Sequence, residues 1–162
     1  MAVVYCEFFH SYLCPQLKTT KLIIMAKKMT IALYTGSFDK LTATGVIING
    51  AVADDMDVEI FVLLMGANAF KKENVGKTDH MAELADKKEE FLASLQQLKI
   101  PTWMEYFQQA KEMGNVKIYI CGLAGKVWNG LTLGDFNELA DDICGIAEYV
   151  ASAQTADVNL FI

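Results

Sequence analysis

The chain has 162 residues, 20 acidic against 14 basic side chains (net −6) and 53% hydrophobic residues, with 11 Gly and only 2 Pro. This is the profile of one compact domain, long enough to hold a core without disulfide or metal staples, and it excludes disorder as the general state. All 14 basic residues are Lys, and with a pI near 4.9 and no guanidinium for base-edge or phosphate recognition, nucleic acid is not an expected partner.

The opening stretch to Pro15 is apolar, but Glu7 and His10 interrupt it, with no basic segment before it and no small-residue cleavage pattern after it, so it does not read as a signal peptide. Cys6 and Cys14 fall there; with Cys121 and Cys144 they form no CxxC, which suits reduced thiols in a cytoplasm rather than a disulfide framework or a zinc site. The longest apolar runs, Leu22–Ala26 and Ile60–Met65, are strand-sized, so no membrane span is expected. Composition shifts at Met25-Ala26-Lys27-Lys28-Met29. The ordered domain is expected over 25–162, with 1–24 an N-terminal extension that is either an arm or a stretch preceding an internal start.

Thr30–Thr35 is β-rich and closes at Gly36-Ser37. From Asp39 to Met56 the apolar residues Leu41, Ile47, Ile48, Ala51, Val52 and Met56 recur every three or four positions, predicting a helix. Asp57–Leu64 reads as a second strand that ends at Met65-Gly66-Ala67-Asn68, and its continuous apolar second half suits a sheet covered on both faces. Lys71–Thr78 reads as a loop. Asp79–Leu98 reads as a solvated amphipathic helix that starts beside His80, a surface residue. After Pro101, Thr102 and Glu105 have capping-box spacing, and the helix they open runs to Met113 and stops at Gly114, with Trp103, Phe107 and Met113 as a core stripe.

Val116–Cys121 is the third strand, followed by a glycine-bearing loop over Gly122–Gly130. A short helix is expected over Thr132–Glu138, a brief strand over Asp142–Cys144, a helix over Gly145–Thr155 and a closing strand over Val158–Ile162. Alternating strands and helices predict an α/β fold, with about five strands in a parallel sheet.

In such a sheet the ligand site lies beyond the carboxyl ends of the strands. That rule selects Gly36 and Ser37, Gly66 and Asn68, and Cys121 with Gly122, Gly125 and Lys126. A thiol is a nucleophile only as thiolate, which glycine-loop N–H groups or a nearby Lys126 would favour, so Cys121 is a candidate carrier of persulfide sulfur. Position alone leaves open that it is a small buried hydrophobe. Cys144, at the end of the next strand, is a possible second thiol able to resolve Cys121, set against a packing role at a strand–helix junction. Ser37 and Asn68 are also natural turn-formers. Asp141-Asp142 has no matching acidic pair, so no metal is expected. Gly122-Leu123-Ala124-Gly125-Lys126 lacks the ending of a phosphate loop. No cofactor is called for. Trp128, in the loop after Cys121, would cover the pocket or fill a subunit interface.

Met29–Lys40, Ile48-Asn49-Gly50-Ala51, Phe61–Asn68, Ala110–Cys121 and the ending Ala156–Ile162, in that order, resemble the DsrE/DsrF-like (DsrEFH-like) sulfur-relay proteins. The resemblance spans roughly Met25 to Ile162. It implies a three-layer α/β/α domain with a mainly parallel five-stranded sheet, assembled as a homo- or hetero-oligomer. It also implies a sulfur carrier or sulfurtransferase-like activity, in which a strand-end cysteine, here Cys121, takes sulfur from a small sulfur carrier or rhodanese-like donor and passes it on. Some members carry a second cysteine further along, where this sequence has Leu131, Thr132 and Leu133, so a two-cysteine relay of that kind is not expected. The alternative is a non-catalytic module of the same fold that binds a small ligand or assembles into an oligomer.

Overall fold

The computed structural model describes residues 27–162. Cys6, His10, Cys14 and the proposed domain start at Met25 lie outside the described residues. Five strands, β1 (Lys28–Leu33), β2 (Asp57–Val62), β3 (Val116–Cys121), β4 (Asp142–Cys144) and β5 (Val158–Phe161), form one sheet in the order β4-β3-β2-β1-β5. Every pairing is parallel, and the layering is the expected α/β/α.

Alternation along the strands sorts the two faces. Met29, Ile31 and Leu33 of β1, Val58, Ile60 and Val62 of β2, and Val116, Ile118 and Ile120 of β3 join one core with α1 (Phe38–Ala53) and α4 (Trp103–Met113). Leu41, Ile48 and Val52 of α1 supply the helical side of that core, together with Trp103, Phe107 and Ala110 of α4. Phe70 closes an aromatic cluster there, with ring centroids 5.3 Å from Trp103 and 5.9 Å from Phe107. The Thr102–Glu105 capping box opens α4 as expected: Glu105 Oε2 accepts the Thr102 N–H at 2.7 Å, and Thr102 Oγ1 accepts the Glu105 N–H at 3.3 Å. Met113, expected in the core stripe, is 63% exposed, because the face of Trp103, Phe107 and Ala110 continues through Gly114, which lies against Val52 of α1, and Met113 points to its side.

The opposite face carries Lys28, Thr30 and Ala32, then Glu59 and Phe61, then Tyr119 and Cys121. Among the described residues its helical cover is α6 (Ile146–Ala153). Ser152 of α6 hydrogen-bonds Thr30 at 2.7 Å and donates to Glu59 at 2.5 Å, while Tyr149 meets Phe61 edge-on at 5.5 Å.

Four segments differ from the sequence expectation. The helix expected from Asp79 starts only at α3 (Lys88–Gln97), because the preceding residues are strapped to the start of α1. The Phe38 N–H donates to the His80 carbonyl, and the Asp39 carboxylate accepts the N–H groups of Ala82 and Glu83. Leu84, at φ 49°, breaks any continuation. Residues expected as turn and loop instead wind into α2 (Leu64–Phe70) and α5 (Gly122–Val127). The short helix expected over Thr132–Glu138 is a single 3-10 turn, Leu133–Asp135, held by the Asp135 carboxylate on the N–H groups of Leu131 and Thr132.

Candidate thiol site at the sheet edge

Parallel strands all present their carboxyl ends on one edge of the sheet, and both described cysteines sit there. Cys121 is the last residue of β3, and Cys144 is the last of β4. The register pairs them directly, so they are neighbours on one face of the sheet. Both are free thiols, 9% and 8% exposed. Each precedes a helix: α5 begins at Gly122, and α6 follows Gly145.

The two thiols share the wall of a cavity of about 760 Å³, the volume range of a small-molecule site. Tyr34 and Leu63, one residue beyond β1 and β2, continue the row that the cysteines occupy, and Leu64, Ile143, Ile146 and Phe161 complete an apolar wall. Gly122 and Lys126 of α5 also line it, so Lys126 stands on the same cavity as Cys121. Phe161 at 70% exposure and Leu123 at 65% give the mouth an apolar rim.

Burial pushes the Cys144 thiol up to about 12, helped by the negative charge of Glu148, by Cys121 itself and by Asp142. Cys144 is therefore a neutral thiol at physiological pH. Asp141, one residue before β4, is committed to structure. It takes the Ile118 N–H at 2.8 Å and the Lys111 ammonium at 2.8 Å, and Lys117 lies 3.8 Å away. Among the described residues no group of three or more His, Cys, Asp or Glu could hold a metal ion.

Most of the residues singled out from sequence fall in two places. Cys121, Gly122, Lys126 and Cys144 line the large cavity. Gly36, Ser37 and Asn68 line a separate cleft of about 360 Å³ with Tyr34, His80 and Trp128. Ser37 and Thr35 share a 3.0 Å hydroxyl contact, the local bonding expected of a turn. The Asn68 side chain accepts from Asn74 at 2.9 Å. Trp128 donates its indole N–H to the Leu64 carbonyl at 2.8 Å, a contact that joins cleft and cavity.

Gly66 and Gly125 line neither. A Cβ on Gly66 would lie 2.7 Å from the Leu33 carbonyl oxygen, and one on Gly36 2.5 Å from that of Met65, so this pair lets the turns after β1 and β2 pack backbone against backbone. Gly125 likewise lies against the Gly130 carbonyl, where a Cβ would come within 2.5 Å. The apolar wall residues Tyr34, Leu63, Ile146 and Phe161 were not singled out from sequence. Tyr34 and Leu63 follow from period-two counting beyond the strand ends, once the strands are registered.

No protein-family model matches the chain. It is similar to the uncharacterized protein YrkE of Bacillus subtilis (strain 168), at 33% identity over an alignment that takes in 84% of this chain and 97% of that one. At that identity and coverage, the chain belongs to the same family as YrkE.

Proposed function

We propose that the protein is a cytoplasmic sulfur carrier or sulfurtransferase-like protein that accepts sulfane sulfur on Cys121 and relays it to a protein partner. The observation that carries this reading is a strand-end thiol on the wall of an open, apolar cavity that also presents the cation of Lys126. A nearby cation favours an anionic sulfur. In the loading step the Cys121 thiolate attacks the outer sulfur of a persulfide R–S–SH. The S–S bond of the donor breaks, R–S⁻ departs as the leaving thiolate, and Cys121 holds the transferred sulfur. The resemblance to DsrE/DsrF-like proteins supports the same chemistry, with a small sulfur carrier or rhodanese-like protein as donor or acceptor.

The exposed apolar rim formed by Leu123, Ile146 and Phe161 supports the further proposal that the protein assembles as a homo-oligomer. A second reading, a non-catalytic module that binds a small apolar ligand in this cavity, is favoured by the aliphatic and aromatic wall.

Incubation with a persulfide donor, followed by intact-mass measurement without reductant, separates the readings. The chain should gain the mass of at least one sulfur atom, localised to Cys121 by peptide mapping and absent in Cys121→Ser. No gain at Cys121, with the cavity still able to take up an apolar fluorophore, would leave the binding module as the correct reading.

A further inference from the structure

We propose that Cys121 and Cys144 together form a redox-active dithiol that reduces small organic disulfides, with Cys121 as the attacking thiol and Cys144 as the resolving one. The two are register partners at the ends of β3 and β4 and open onto one cavity. Adjacent strands run about 4.8 Å apart, inside the roughly 4.4–6.8 Å Cα window of a disulfide, so the bond needs side-chain rotation and a small approach of the two strand ends. A small disulfide fits the cavity of about 760 Å³, whose mouth is open to solvent.

The steps balance without a further reactant. The Cys121 thiolate attacks one sulfur of R–S–S–R, the S–S bond breaks, and R–S⁻ leaves and takes up the proton that Cys121 gave up. Cys121 now carries a mixed disulfide. Cys144 then attacks the Cys121 sulfur and expels the second R–S⁻, which receives the Cys144 proton. The protein has lost two electrons and two protons to become the Cys121–Cys144 disulfide, and the substrate has become two thiols.

The division of labour follows from the charged neighbours: Glu148 and Asp142 act on Cys144, while Lys126 stands on the cavity wall with Cys121. Cys144, pushed up to about 12, holds too little thiolate to compete for free disulfide in solution. Against a mixed disulfide on its own strand neighbour the attack is intramolecular, where effective molarities of about 10⁵ M or more offset a scarce thiolate. Forming the mixed disulfide also removes the Cys121 charge that helps to keep Cys144 protonated.

Cystamine is a suitable probe because it carries no sulfane sulfur, so this proposal and persulfide uptake can fail separately. The reduced full-length chain, treated with cystamine and mapped by non-reducing peptide mass spectrometry, should yield a Cys121–Cys144 cross-linked peptide two hydrogens lighter than the reduced pair. Dithiothreitol should restore the reduced mass. Cys144→Ala, checked for folding by circular dichroism, should instead accumulate a cysteamine adduct on Cys121. Cys121→Ala should leave Cys144 reacting roughly 100-fold more slowly, or worse. A stable adduct on Cys121 beside a free Cys144 in the unsubstituted chain overturns the proposal, as does a link only between chains or no reaction at either thiol.

Discussion

The two faces of the sheet are built on different physics. Against α1 and α4 the sheet is dry and aromatic: Phe70, Phe107, Ile31, Ile60, Ile118 and Ile120 are fully buried there. Against α6 it is polar and thinly covered, with a chain of contacts from Thr30 through Ser152 to Glu59 and an ion pair of 2.7 Å between Lys28 and Glu59. The cavity with both thiols opens at the carboxyl edge of this second face. One face therefore supplies stability, while the other carries the cavity with both thiols, open to solvent.

The largest effect that tests this contrast is a truncation on the dry face. Phe107→Ala removes a fully buried ring that meets Phe70 at 5.9 Å and Trp103 at 5.6 Å, and should destabilise the fold by about 3–5 kcal/mol in urea unfolding. A cost below about 1 kcal/mol would mean that the two faces share the load more evenly than their packing implies.

An intermediate effect belongs to the polar face. Burial pulls the Glu59 carboxyl up, but the hydrogen bonds from Lys28 and Ser152 and the Lys28 charge outweigh it, so its pKa lies below the usual 4.5. A carboxyl depressed on folding adds stability that is present above its unfolded pKa and lost as pH falls through the folded one. Glu59→Gln should cost about 1 kcal/mol at neutral pH, given the partial solvent screening of the pair. That deficit should shrink as pH drops below 4.5, where the wild-type carboxylate is itself being protonated. An equal deficit throughout acid unfolding would assign the cost to packing rather than to the ion pair.

The dry face is also the more legible one in the sequence. Its strands and the helices α1 and α4 follow from apolar periodicity, and Thr102–Glu105 marks the start of α4 by chemistry alone. Elsewhere, tertiary contacts decided the outcome. Asp79–Leu84 has helical spacing, but the Asp39 carboxylate captures its N–H groups and Met81 is drawn into the core. In α2 and α5 the glycines read as turn signals, yet they sit within helices because Gly66 and Gly125 permit close backbone approach. At the site, the placement of Cys121 at a strand end is readable from the run Val116–Cys121. Its pairing with Cys144 is not, because strand register depends on contacts between segments distant in sequence. The same limit applied to Gly36, Ser37 and Asn68, which share the carboxyl edge with the thiols but line the neighbouring cleft.

The smallest expected effect on folding concerns the apolar surface one helical turn beyond Leu123 of α5 and Ile146 of α6, next to the rim. Val150 of α6 and Val127 at the end of α5 are 49% and 57% exposed, so neither contributes much to the fold of the single chain. Val127→Lys with Val150→Lys should change unfolding stability by no more than about 0.5 kcal/mol, since both sites are open to water and a cation near a helix C-terminus is tolerated. If the apolar surface is held between copies, as proposed for a homo-oligomer, the same pair buries two charges at the contact and should shift sedimentation toward the monomer. An assembly that survives the double substitution must use a different surface, and a wild-type chain that is already monomeric removes the oligomer proposal while leaving the contrast between the two faces intact.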